Sequence, residues 1–133
     1  SNAMRKGSLM IAYVHSATII VSDQEKALDF YVNTLGFEKV FDNQLDPNMR
    51  FVTVVPPGAQ TQVALGLPSW YEDGRKPGGY TGISLITRDI DEAYKTLTER
   101  GVTFTKPPEM MPWGQRATWF SDPDGNQFFL VEE

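Results

Sequence analysis

Apolar and polar positions along the chain change their period several times, and the same succession of changes occurs twice. Residues 11–21 are rich in β-branched side chains and close on Thr18-Ile19-Ile20-Val21, which predicts a buried strand bounded by Ser22 and Asp23. Leu28, Tyr31, Val32 and Leu35 then recur at i, i+3, i+4 and i+7. With Ser22 and Glu25 at capping-box spacing and Gly36 as a stop, this predicts a helix over 25–35. Residues 37–41, 50–55 and 62–67 read as three further strands, separated by turns at Asp46-Pro47-Asn48 and Pro56-Pro57-Gly58. After the stretch 68–79, dense in Gly, Pro and charge, the cycle restarts with a strand over 82–87. Asp89 and Glu92 form a cap, and Ile90, Ala93, Tyr94 and Leu97 give one face of a helix over 91–100 that ends at Gly101. Strands over 102–105, 115–120 and 127–131 follow, with breaks at Pro107-Pro108 and at the hairpin turn Asp122-Pro123-Asp124-Gly125-Asn126.

A shift of 66 residues lays Thr18, Ile19 and Ile20 on Ser84, Leu85 and Ile86, Asp23 on Asp89 and Ala27 on Ala93. A repeat of this length is too long for a solenoid unit and suits a duplicated half-domain. The expected fold is therefore α+β, a duplication of two βαβββ modules that can close around one pocket. Its halves cover about 10–68 and 80–132 of a single domain 10–133, with 69–79 as linker and lid. The competing fold is an unpaired ferredoxin-like α+β domain that dimerises, with a flat four-stranded sheet and both helices packed on one face. Residues 1–9 read as a tag remnant, Ser1-Asn2-Ala3, with a lead-in.

Composition narrows the function. At 133 residues, 41% of them hydrophobic, the chain has the material for one core. A net charge of -5 and the absence of any Lys/Arg cluster argue against nucleic acid as a partner. No apolar run suits a membrane span and no signal-peptide pattern occurs, so a cytoplasmic location is expected. Without cysteine there is no thiolate nucleophile, disulfide or cysteine metal site.

The motifs VSDQEKALDFYVNTLGF, DIDEAYKTLTERGV, PWGQR and DPDGNQFFLVE, in this order, resemble the vicinal oxygen chelate superfamily, which includes glyoxalase I, bleomycin-resistance proteins and extradiol dioxygenases. The resemblance spans residues 10–132 and implies that the two paired βαβββ modules form an open, cup-shaped mixed sheet with the helices outside. It further implies four metal-ligand positions: His or Gln on the first strand of each half, Glu on the last. Here those positions fall on Ser16, Ala64, Gly82 and Phe129. These side chains cannot hold a divalent cation, which calls for several N or O donors. No metal and no cofactor are expected, and no catalytic residue is identified.

The expected binding residues are Ser16, Thr18, Ala64, Gly82, Ser84, Trp113, Arg116 and Phe129. Alternate positions 16 and 18, and 82 and 84, would share the cup face. Trp113 offers either a stacking surface or a closure of the core. Arg50 and Arg116 would each grip an anion or lie solvated on the outer face, Arg116 being the stronger candidate through its nearness to Trp113. His15, the only histidine, faces away from Ser16's side in a regular strand. Asp122 and Asp124 read as turn formers, and Glu132 and Glu133 as a solvated tail. The leading function is a metal-free small-molecule-binding protein, similar in principle to the bleomycin-resistance branch. A glyoxalase-type lyase or isomerase, or a dioxygenase, is the enzymatic alternative. A protein-binding module using Trp70, Tyr71 and Trp113 is the third. A homodimer is expected, since pairing shields strand edges.

Overall fold

In the computed structural model, which describes residues 10–133, each half is a strand, a helix and a further run of strands. The lead-in expected over 1–9 lies outside the described residues. The first half comprises β1 (Ser16–Ile20), α1 (Gln24–Leu28) continued by a π-helical stretch (Asp29–Thr34), β2 (Glu38–Asp46), β3 (Met49–Val55) and β4 (Gln62–Gly66). A short 3-10 turn, Pro68–Trp70, begins the link. The second half comprises β5 (Gly79–Thr87), α2 (Ile90–Glu99), β6 (Thr103–Phe104), β7 (Glu109–Met110), β8 (Arg116–Ser121) and β9 (Asn126–Glu132).

The strand orders β1-β4-β3-β2 and β5-β9-β8-β6 coincide, each with its first strand parallel to its last. This is the duplicated α+β architecture that the repeat predicts, with the open mixed sheets that the resemblance implies. Eight strands were expected, and a ninth appears among the described residues, because β7 forms a short pairing with β8 just after the Pro107-Pro108 break.

The helix starts follow local hydrogen bonding. Asp23, in extended backbone, accepts from the N–H groups of Glu25 and Lys26 at 2.9 and 3.1 Å, so the cap is Asp23 and not the expected Ser22. Ser22 instead donates its N–H and hydroxyl to the Asp124 carboxylate at 3.0 and 2.7 Å, tying the first half to the hairpin turn of the second. Asp89 caps α2 as expected, at 3.1 Å from the Glu92 N–H. Glu132 is no solvated tail, since its carboxylate accepts the Ile90 N–H at 3.0 Å and satisfies another free donor of that helix start.

The apolar spacing over 28–35 predicts an ordinary α-helix, but the second part widens. The Leu35 N–H bonds to the Phe30 carbonyl at 2.9 Å, five residues back. With that wider turn, the adjacent side chains of Phe30 and Tyr31 both reach the core.

One apolar cluster joins the halves. Ile19, Val63 and Leu65 of the first sheet, Ala27 and Tyr31 of the first helix, Ile90 of α2, and Phe120, Phe128 and Leu130 of the second sheet are all buried together. Tyr31 meets Phe128 edge-on at 6.1 Å. Asn126 Nδ2 donates to the Ile20 carbonyl at 2.8 Å. The helices thus cover one face of each sheet, and the site must be sought on the other.

Candidate functional site on the helix-free sheet faces

Register decides which side chains share a face. Thr18 stands opposite Ala64 across β1 and β4, and Ser84 opposite Phe129 across β5 and β9. Because strand side chains alternate, these four point away from Ile19, Leu65, Leu85 and Leu130, the residues packed in the helix-side core. The two halves therefore place equivalent positions on equivalent faces.

On the second sheet this face is an aromatic platform. Phe129 packs against its cross-strand partner Trp119 with ring centroids 4.7 Å apart, and Trp113 lies 6.2 Å from Phe129. Buried Met111, Ala117 and Val131 support it. Trp113 is held by its own N–H, which donates to Gln115 Oε1 at 2.9 Å, while Gln115 Nε2 donates to the Glu132 carbonyl at 3.0 Å. The indole remains 59% exposed, as does Ile86 on the same face. The Lys106 ammonium lies 5.4 Å from the centre of the Trp119 ring, at the rim of cation–π range. Of the expected binding residues, Phe129 thus lies beside both Trp113 and its β5 partner Ser84, and Trp119 joins them. The signal for Trp119 was the alternation in RATWF: with Phe120 turned to the core, its neighbour must face the other way.

The first sheet carries a second aromatic row. Phe41 and Phe51 lie 6.2 Å apart, and Trp70 stacks on Phe51 at 6.1 Å with 23° between the ring planes. Trp70 rests on Gly66, where an added Cβ would come within 3.1 Å of the indole and 2.9 Å of Thr18 Cγ2. Ser16 and Thr18 lie on this face with the buried Ala64.

Other predicted positions fall elsewhere. Arg116 shares the helix side of β8 with Thr118 and Phe120, where its guanidinium pairs with Asp91 of α2 at 2.6 Å. One residue of strand phase separates it from the Trp119 face. Gly82 does not share a regular alternation with Ser84, because the β5–β9 register is irregular between Tyr80 and Ser84, and Gly82 has φ +76°. His15 is exposed just before β1, with Nδ1 3.1 Å from Ser16 Oγ. Arg50 is structural: it binds Asp42 through two hydrogen bonds of 2.7 and 2.8 Å and Glu25 at 2.6 Å. Arg50, with Lys39, holds the Asp42 carboxyl well below the usual carboxylate range. A cavity of about 140 Å³ lies where the halves meet, lined by Thr18, Ile19 and Ile20, by Lys76 and Gly78 to Thr81, and by Asn126. Of the expected lining it takes in Thr18 alone.

The donor chemistry does not fit a metal centre of the implied type. Ala64, Gly82 and Phe129 have no donor atom, and among the described residues no three His, Cys, Asp or Glu side chains are grouped to hold an ion.

Comparison with known proteins agrees with this architecture. A family model for the Glyoxalase/Bleomycin resistance protein/Dioxygenase superfamily matches residues 13–130. The crystal structure of TnmS3, an antibiotic binding protein from Streptomyces sp. CB03234, is similar at 39% identity and a TM-score of 0.80, covering 92% of this chain and 96% of that one. A glyoxalase/bleomycin resistance protein from the same Streptomyces strain is likewise 39% identical, with a TM-score of 0.74 over 89% of this chain and 98% of that one. An uncharacterized protein of Shewanella frigidimarina (strain NCIMB 400) is 34% identical over 125 residues, 90% of this chain and 91% of its own length. The duplicated fold, the equivalent faces and these matches together place the chain in the glyoxalase/bleomycin resistance protein/dioxygenase superfamily.

Proposed function

We propose that the protein binds a flat, largely apolar small molecule on its helix-free sheet faces, without a metal. The observation that carries this reading is the platform of Trp113, Phe129 and Trp119. Where metal-using members of the superfamily place a glutamate, this chain has an aromatic ring built into an exposed stacking surface. Exposed apolar patches of this kind mark interaction sites, and a few polar groups suffice to orient a guest. Ser84 beside Phe129, and Ser16 and Thr18 on the first sheet, offer hydroxyls for that purpose. The similarity to TnmS3, described as an antibiotic binding protein, supports a drug-like guest and a sequestering role over turnover.

A homodimer is part of the proposal. Trp113 and Ile86 leave apolar area uncovered on the second sheet, and a second copy would shield it and wall the guest in. A thermal-shift screen against planar aromatic antibiotics tests the reading. Stabilisation by at least one of them, abolished in Phe129→Ala, is expected; a screen without any stabilising compound would refute it.

A further inference from the structure

We propose that Trp70 is a displaceable gate over the first sheet's part of the site, opened by a planar guest that carries an oxygen acceptor. The inference rests on the reading that these faces bind a small molecule, and adds to it a moving part and a ligand class. Three observations converge on this residue. Trp70 belongs to the link between the halves, where the regular structure is the short turn Pro68–Trp70, and Pro68 and Ser69 are exposed. Its ring lies nearly flat on Phe51 in the cradle left by the missing side chain of Gly66, covering the strip beside Thr18. Its indole N–H, by contrast, is buried and has no acceptor among the described residues.

The first two observations explain why the ring sits where it does, and the third explains why it need not stay. Stacking holds the apolar part of the indole, but a buried donor without a partner penalises the closed position relative to any position in which it finds one. Such a guest takes the indole's place on Phe51, and the freed N–H gains an acceptor from water or from the guest itself. Closure then lowers apparent affinity by the fraction of chains that are open, so weakening the closed state tightens binding.

The probe is 8-anilinonaphthalene-1-sulfonate, a planar naphthalene bearing sulfonate oxygens, titrated into the protein labelled with 5-fluorotryptophan. The 19F signal of Trp70 should show no H2O/D2O solvent shift in the free protein and acquire one at saturating probe. Trp70→Ala should tighten probe binding about three- to tenfold. Weaker probe binding in Trp70→Ala would overturn the gate, since a fixed wall loses contacts on truncation. So would a Trp70 signal that moves with protein concentration alone, because a second copy would then satisfy the N–H. Loss of probe binding in Phe51→Ala reports on the first sheet's face as a site, and the direction of change in Trp70→Ala reports on the gate, so the two ideas fail separately.

Discussion

Tyr31 donates its hydroxyl to the Asp122 carboxylate at 2.7 Å, a buried hydrogen bond between residues from opposite halves of the repeat. Asp122 is otherwise occupied in shaping its own turn, accepting the backbone N–H groups of Asp124 and Asn126 and the side-chain amide of Asn126. The pair therefore joins a helix of one half to the hairpin of the other. Replacing Tyr31 by Phe should keep the ring packing and destabilise the protein by about 1.5–3 kcal/mol, the range for a hydrogen bond to a charged group. Chemical denaturation of the two proteins measures this.

The same residue sets an alkaline limit. Burial, and then the neighbouring Asp122 charge, push the Tyr31 phenol well above its ordinary value of about 10. The folded chain thus keeps a proton that the unfolded chain releases. Its contribution is full below about pH 10 and declines as pH rises beyond it. Tyr31→Phe should flatten that decline in denaturation curves recorded between about pH 9 and 11.

Asp42 behaves in the opposite sense. Its hydrogen bonds to Arg50 and Lys39 lower its pKa in the folded state, so the stabilisation is present above the ordinary carboxylate value near 4 and is lost as pH falls through it towards the folded value. Asp42→Asn should cost about 1 kcal/mol at neutral pH and less in acid. An equal cost at both pH values would contradict the assignment.

Zinc, nickel, manganese and iron should each fail to bind stoichiometrically after incubation and desalting, as read by elemental analysis. Ser16, Ala64, Gly82 and Phe129 supply one hydroxyl between them, too little for a divalent ion. One equivalent of any of these metals retained on the aromatic face would overturn the metal-free reading.

The fold was legible because duplication leaves two copies of one pattern. The shift that lays Thr18 on Ser84 equates the two strand–helix units, and each of these residues stands opposite the position that the resemblance marks on the last strand of its half, Ala64 and Phe129. Phe129, most simply a core residue by type, is assigned to the cup only through the resemblance, by counting from DPDGN, and it stands beside Ser84 on the open face. What stayed hidden depends on contacts between distant segments. Nothing local to Arg116 announces Asp91, and nothing local to Ser22 announces Asp124, so the arginine's side of the sheet and the true helix cap could not be read from spacing. Gly82 carries no sign of the irregular register around it. Trp70 looked like a linker residue because its docking site is the absence of a side chain at Gly66.

Association can be tested directly. The second sheet's exposed Trp113 and Ile86 predict a dimer at tens of micromolar, roughly the range for a modest interface. Trp113→Lys, which puts a charge into that apolar face, should shift sedimentation towards the monomer. A wild-type monomer at that concentration would remove the dimer from the account.

The central claim is that a small aromatic guest stacks on Phe129. Isothermal titration of the most stabilising antibiotic from the thermal screen into wild-type protein and Phe129→Ala, both stripped of metal with chelator, tests it most directly. Truncating a ring buried against the guest should weaken binding by about tenfold or more, since burial of such a side chain is worth roughly 1.5–3 kcal/mol. Equal affinity in the two proteins, or binding that returns only with added metal, would contradict it.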